Sequence, residues 1–224
     1  MKTVRSAVVA AMIGSAAGPG PAIRGCSSTD GAATDGDRAF GVAAKHSATA
    51  YLSVRATGAQ ERQVVDHLTA VLRDFDSRAG ALVASLGPAD PEPHLELDAT
   101  SRTYSSGHTR TVVVKVYRNL CDGRPATTYR AFPYDLAAQA PITWATLFPS
   151  GTRALEVIAP AVARQIGTQA RLPLVLDPAD CADFALTDDA VVFFFGSGQL
   201  HPAVDATEVA VARTVLAEVL NPRL

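Results

Sequence analysis

The chain has 224 residues, 48% hydrophobic and 19% charged, which excludes a mostly disordered polypeptide and leaves material for one or two compact units. Twenty basic residues stand against 22 acidic ones, a formal net charge of −2, so no basic stripe is present to neutralise a phosphate backbone; nucleic acid is excluded as a partner. Only Lys2, Lys45 and Lys115 are lysines; the remaining basic residues are arginines, which with the many alanines reflects a GC-rich coding bias rather than any chemistry.

Residues 1–25 read as a signal peptide. They contain Lys2, Arg5 and Arg24 and no acid, and the basic start is followed by the apolar run SAVVAAMIGSAA over 6–17. Twelve residues at helical rise reach about 18 Å, too short for a hydrocarbon core of roughly 30 Å. The breakers Gly18, Pro19, Gly20 and Pro21 argue against a buried N-terminal helix. Ile23-Arg24-Gly25-Cys26 resembles a bacterial lipobox, in which the cysteine takes a diacylglyceryl thioether; Arg24 departs from that pattern. Lipid attachment at Cys26, to the outer face of the cell membrane, and secretion in soluble form are the two outcomes, and both place the protein outside the cytoplasm. The polar, Gly-rich stretch over 26–45 is the expected tether. Export leaves 17 basic residues against 22 acidic ones.

With Cys26 lipidated, Cys121 and Cys181 remain as an even pair in an oxidising compartment, and a disulfide between them is expected, two unpaired thiols being the alternative. Such a bridge would stabilise by about 4 kcal/mol in the chain-entropy account. No CxxC or Cys/His spacing is present, so zinc and redox readings fall away.

The first expected element is a strand over 47–56. Val64, Leu68, Val71, Phe75, Leu82 and Leu86 recur at spacings of three, four or seven and predict an amphipathic helix over 61–86, ended by Gly87-Pro88. Strands are expected over 93–105, over 110–120 after a Ser106-Gly107 turn, and over 126–136, where Pro133 requires a strand edge or end. Residues 141–151 are irregular but apolar. Leu155, Ile158, Val162 and Ile166 predict a helix over 152–167 with a kink at Pro160. A hairpin follows over 183–195, its second arm carrying five consecutive apolar residues that call for cover on both faces; a last strand over 207–212 and a helix over 213–220 complete the series. Strands and helices without strict alternation predict an α+β fold: a twisted, largely antiparallel sheet packed by two to three helices. The division expected is an N-terminal strand-helix-strand part over 46–108 and a C-terminal domain over 109–224.

Chemistry is sparsely signalled. No Gly-x-Ser-x-Gly occurs, so whether the chain is an enzyme stays open. Gly196-Ser197-Gly198 with His201 and Asp205 is the nearest approach to a nucleophile, base and orienting acid; a glycine-rich turn after a buried strand is the plainer reading. Ser106 and His108 form a second Ser/His pair, again more simply a turn. His94, Glu96 and Asp98 alternate along one strand face, as ligands or as a solvated face do; the solvated face is preferred, and no metal or cofactor is assigned. Asp177, Asp180, Asp183, Asp188 and Asp189 lack EF-hand spacing and suit turns and caps. Tyr129, Phe132, Tyr134 and Trp144 form either an aromatic contact patch or ordinary core.

VVVKVYRN, ATTYRAFPYD, PITWATLF and FALTDDAVVFFFGSGQLHP, taken together, resemble the mycobacterial secreted immunogenic protein family, over roughly 110–220 in sequence and 47–108 in layout. That family shares its C-terminal domain with RsiV-like anti-sigma factors, which sense lysozyme, and PdaC-like peptidoglycan deacetylases. The resemblance implies export and an α+β domain. It also implies two functions: a binding domain for a protein or cell-wall ligand, which is preferred, or a secreted carboxylesterase. Cys121 and Cys181 are not part of the family's usual pattern.

Overall fold

A computed structural model describes residues 58–87, 90, 93, 95–121, 123–149, 153–167 and 174–224, together with the backbone of 39–43. The signal peptide, Cys26, most of the tether, the strand expected over 47–56 and His94 lie outside the described residues. The elements run β1 (Ala39–Ala43), α1 (Ala59–Ser85), β2 (Glu96–Ser106), β3 (Thr109–Asn119), β4 (Ala126–Asp135), β5 (Ala140–Pro141), α2 (Trp144–Leu147), α3 (Arg153–Ile166), β6 (Phe184–Leu186), β7 (Ala190–Phe195), β8 (Thr207–Ala212) and α4 (Arg213–Leu216). Two sheets form, one in the order β1-β2-β3-β4-β5 and one in the order β6-β7-β8, and every register described is antiparallel. The fold is α+β.

The chain divides into two compact units whose boundary passes through β2 and β3: residues 1–100 with 116–126, and 101–115 with 127–224. In the first unit, α1 keeps its apolar spacing but buries only Gln60 and Phe75 fully. Asp74 on this helix pairs with Arg118 of β3 at 2.7 Å and with Arg78 one turn on at 3.0 Å. Ion pairs this exposed contribute at most about 1 kcal/mol each, so burial of Phe75 is the stronger anchor.

The second unit is built on β7. Its residues alternate between two cores because successive side chains leave opposite faces of a strand. Val191, Phe193 and Phe195 join Ile158, Val162 and Ile166 of α3, Val209 and Val211 of β8 and Leu216 of α4. Phe194 turns the other way, onto Val113, Ala131, Tyr104 and Tyr129. The two-sided cover expected for VVFFF is thus supplied by helices on one face and by β2, β3 and β4 on the other. α3 runs continuously through Pro160, with Ile158 and Val162 fully buried on either side of it. α4 spans only Arg213–Leu216, shorter than the helix expected over 213–220.

The segment 141–151 gains local order from a capping box. Thr143 Oγ1 accepts from the Thr146 amide while Thr146 Oγ1 accepts from the Thr143 amide, which starts α2. The β2–β3 connection is Gly107-His108, one residue later than the expected turn. Gly107 has φ +53° and His108 does not have a positive φ, the signature of a type II′ hairpin, in which glycine is favoured first.

The disulfide expected between Cys121 and Cys181 is not formed. The two cysteines belong to different units, and Cys181 is enclosed in the core that includes Phe184 and Leu176. It acts there as a small apolar residue. Burial, and then the charges of Asp180 and Asp177, push its thiol from an ordinary value of 9.0 up to about 12. The folded state therefore holds a proton that the unfolded chain releases, so stability is lost as pH rises from about 9 toward 12. Unfolding midpoints are expected to fall above pH 9, with a shallower fall in Cys181→Ala between pH 9 and 10; equal slopes in the two proteins would show that this thiol does not titrate on unfolding.

Candidate functional site

The free edge of β4 explains what Ser197 does. β4 has β5 beside only Tyr134 and Asp135, so the edge from Thr127 to Pro133 needs other partners. The Ser197 amide donates to Thr127 O at 2.8 Å and the Thr127 amide donates to Ser197 Oγ at 3.1 Å, so a hydroxyl replaces a strand carbonyl. Asp183 Oδ1 accepts from the Ala131 amide at 2.7 Å, and Pro133 O accepts from the Ile142 amide at 2.9 Å. Burial raises the Asp183 carboxyl above its usual range, against the lowering by the Ala131 amide and Arg130. The approach at 196–197 is close. A Cβ on Gly196 would lie 3.1 Å from Thr127 O, which is why glycine stands there.

His201 is likewise committed to its own turn, its Nδ1 accepting from the Ala203 amide at 3.2 Å. Asp205 uses its carbonyl to accept from Thr207 Oγ1. No hydrogen bond joins Ser197, His201 and Asp205, and the plainer reading of a turn describes them.

The second Ser/His pair is also separated by its partners. Ser106 is buried, and its Oγ accepts from Arg213 Nη2 at 3.0 Å. Arg213 also donates through Nε to Thr187 O at 2.8 Å and through Nη1 to Leu224 O at 2.9 Å. One guanidinium therefore holds the β2–β3 turn, the β6–β7 turn and the C-terminal segment. His108 faces outward with Nε2 3.5 Å from Asp135 Oδ2. The Ala138 and Ala137 amides, and then His108, hold the Asp135 carboxyl below its usual range, so it is the ionised partner that orients the ring.

Of the alternating residues His94, Glu96 and Asp98, Glu96 and Asp98 are half-buried on β2 on either side of buried Leu97, and Asp98 is hydrogen-bonded or otherwise engaged. Among the described residues no group of three His, Cys, Asp or Glu side chains is placed to hold a metal ion. Asp177 and Asp180 serve a turn, with Asp177 Oδ1 accepting from the Ala179 and Asp180 amides. Of the four aromatic residues, Phe132 and Tyr134 are core, each 8% exposed, while Tyr129 and Trp144 are half-buried. Of the two readings of these four residues, ordinary core describes Phe132 and Tyr134.

A different cluster does reach the surface. Tyr104 of β2 and Tyr129 of β4 flank the buried Phe194 ring at 5.7 and 5.4 Å between centroids. Arg102 Nη1 donates to Tyr104 Oη at 2.8 Å and to Glu208 Oε2 at 3.1 Å, and its guanidinium lies 5.9 Å over the Tyr104 ring. Tyr129 Oη donates to Glu208 Oε1 at 3.4 Å. Burial and the neighbouring Glu208 carboxylate push the Tyr129 hydroxyl up to about 12, so it stays a donor. Arg102 and Glu208 remain 48% and 34% exposed. Sequence alone placed Tyr129 among the candidates but missed Arg102, Tyr104 and Glu208. The available signal was the i, i+2 placement of Arg102 and Tyr104 and the single acid in TEVAVA, neither of which names the other.

No family model matches the chain. It is 41% identical over 145 residues to "Esterase Rv3036c" of Mycobacterium tuberculosis, covering 60% of this chain and 63% of that protein. It is 39% identical over 150 residues to "Immunogenic protein MPT64" of M. tuberculosis and to "Immunogenic protein MPB64" of Mycobacterium bovis, covering 62% of this chain and 66% of each. The chain thus spans just under two thirds of the length of these curated relatives. A DUF3298-family protein from Bacteroides fragilis aligns with a TM-score of 0.50 at 11% identity, over 75% of this chain and 71% of that one, a likeness of fold. No helix among the described residues is long and apolar enough to cross a membrane.

Proposed function

We propose that this chain is an exported protein, held at the outer face of the cell membrane by a lipid on Cys26, whose α+β domain works by binding a protein or cell-wall ligand. The basic start, the short apolar run and the lipobox-like Ile23–Cys26 support export and anchoring. Relatives named immunogenic proteins support export, and recognition rests by analogy on the resemblance to the domain of RsiV-like and PdaC-like proteins. The observation that carries the reading is at Ser197: its hydroxyl accepts from the Thr127 amide while His201 Nδ1 accepts from the Ala203 amide, which leaves the Gly-Ser-Gly turn without a nucleophile-base contact.

A carboxylesterase is the second reading, favoured by the 41% identity to a protein named esterase and by the His108–Asp135 pair. Hydrolysis of p-nitrophenyl butyrate separates the two. The purified protein is expected to show no turnover above buffer, and Ser197→Ala is expected to lower unfolding free energy by about 1 kcal/mol through the lost acceptor. Turnover that disappears in Ser197→Ala while circular dichroism is unchanged would replace recognition with catalysis. Intact mass of the membrane-extracted protein tests the anchor, with a chain beginning at an acylated Cys26 as the expected species.

A further inference from the structure

The Arg102, Tyr104, Tyr129 and Glu208 cluster is more elaborate than stability requires. An ion pair exposed to this extent contributes about 0–1 kcal/mol, yet here three strands converge to orient one carboxylate with two separate donors. The strand beside it stays open. Ala210 and Ala212 leave β8 on the same face as Glu208, and both are exposed, whereas Val209 and Val211 on the opposite face are buried. The result is a surface strip with a charged pair at one end and tyrosine beside it.

We propose that this face binds a neutral saccharide; the assignment rests on the recognition reading above and gives it a ligand class. The charge pattern selects the class. Arg102 and Glu208 neutralise each other, so an anion meets Glu208 and a cation meets Arg102, and neither gains from the site as a whole. Side by side they offer donors and acceptors, the complement of adjacent sugar hydroxyls, each of which both donates and accepts. Tyr129, half-buried against Phe194, supplies aromatic surface for the C–H face of a pyranose, while the Tyr104 ring lies under the Arg102 guanidinium and fixes it. The small side chains of Ala210 and Ala212 leave room along β8. Because the carboxylate is already held by Arg102 and Tyr129, little ordering remains when a ligand arrives.

Amide and methyl NMR titration of the full chain tests this, with maltotriose and triacetylchitotriose as probes and inorganic phosphate and a short neutral peptide as controls. Saturable shifts are expected at Ala210, Ala212 and Glu208 with at least one sugar. Affinity is expected to fall at least tenfold in Ala210→Phe, which fills the strip from an exposed position. Arg102→Met, which removes the donors without truncating the stem, is expected to do the same should Ala210→Phe fold poorly. Absence of sugar shifts at these residues, shifts produced by phosphate or the peptide alone, or undiminished sugar affinity in the folded variants would overturn the assignment. Those results leave the ester test above untouched, and ester turnover lost in Ser197→Ala would sink recognition whatever the sugars do.

Discussion

Arg213→Ala is expected to lower the free energy of unfolding by about 3–5 kcal/mol, because three acceptors lose a charged donor in one substitution. Thr187 O, Leu224 O and Ser106 Oγ belong to segments far apart in the chain, and the planar guanidinium meets them at 2.8, 2.9 and 3.0 Å. Lysine carries its charge on a single nitrogen without that fork, so Arg213→Lys is expected to recover less than half of the loss. Equilibrium denaturation at pH 7 reads these values. A loss below about 1 kcal/mol for the alanine variant would mean that water replaces the guanidinium at all three acceptors.

Phe193→Ala is expected to be comparably severe, about 3–5 kcal/mol, by loss of buried apolar surface and creation of a cavity. Phe193 is fully buried at the centre of β7, opposite Phe184 of β6 and Val209 of β8, and it belongs to the core that α3 covers. Val175→Ala is the matched control. That side chain is 87% exposed, and its truncation is expected to change stability by less than about 0.5 kcal/mol. Similar losses at the two positions would show that β7 is not the centre of the core.

How much of this was legible in advance depends on the range of the interaction. α1, α3 and β8 lie within a few residues of their expected bounds, and VVFFF reads correctly as a strand covered on both faces. The glycine turn around Ser197 also kept its plainer reading, although nothing local predicted that its hydroxyl would stand in for a carbonyl at the β4 edge. Misjudgements concern partners. Cys121 and Cys181 form an even pair by count, but a bridge needs a short Cα separation, which counting does not supply. Phe132 and Tyr134 could be read as contact patch or as core, and only packing decided for core.

By itself, then, the order of residues determined the long helices α1 and α3, the strands β2, β3, β4, β7 and β8 and the α+β class, whereas β1, inside the expected tether, and the short β5 and α2 were not foreseen. Periodicity is a property of neighbouring residues, and the hydrophobic effect acts on it without reference to distant chain. Tertiary structure alone decided which polar groups meet: Arg102 with Glu208 across 106 residues, Thr127 with Ser197 across 70, and Arg213 with three separate segments. Hydrogen bonds and ion pairs act over a few ångströms and require matched geometry, so they exist only after packing has brought the strands together.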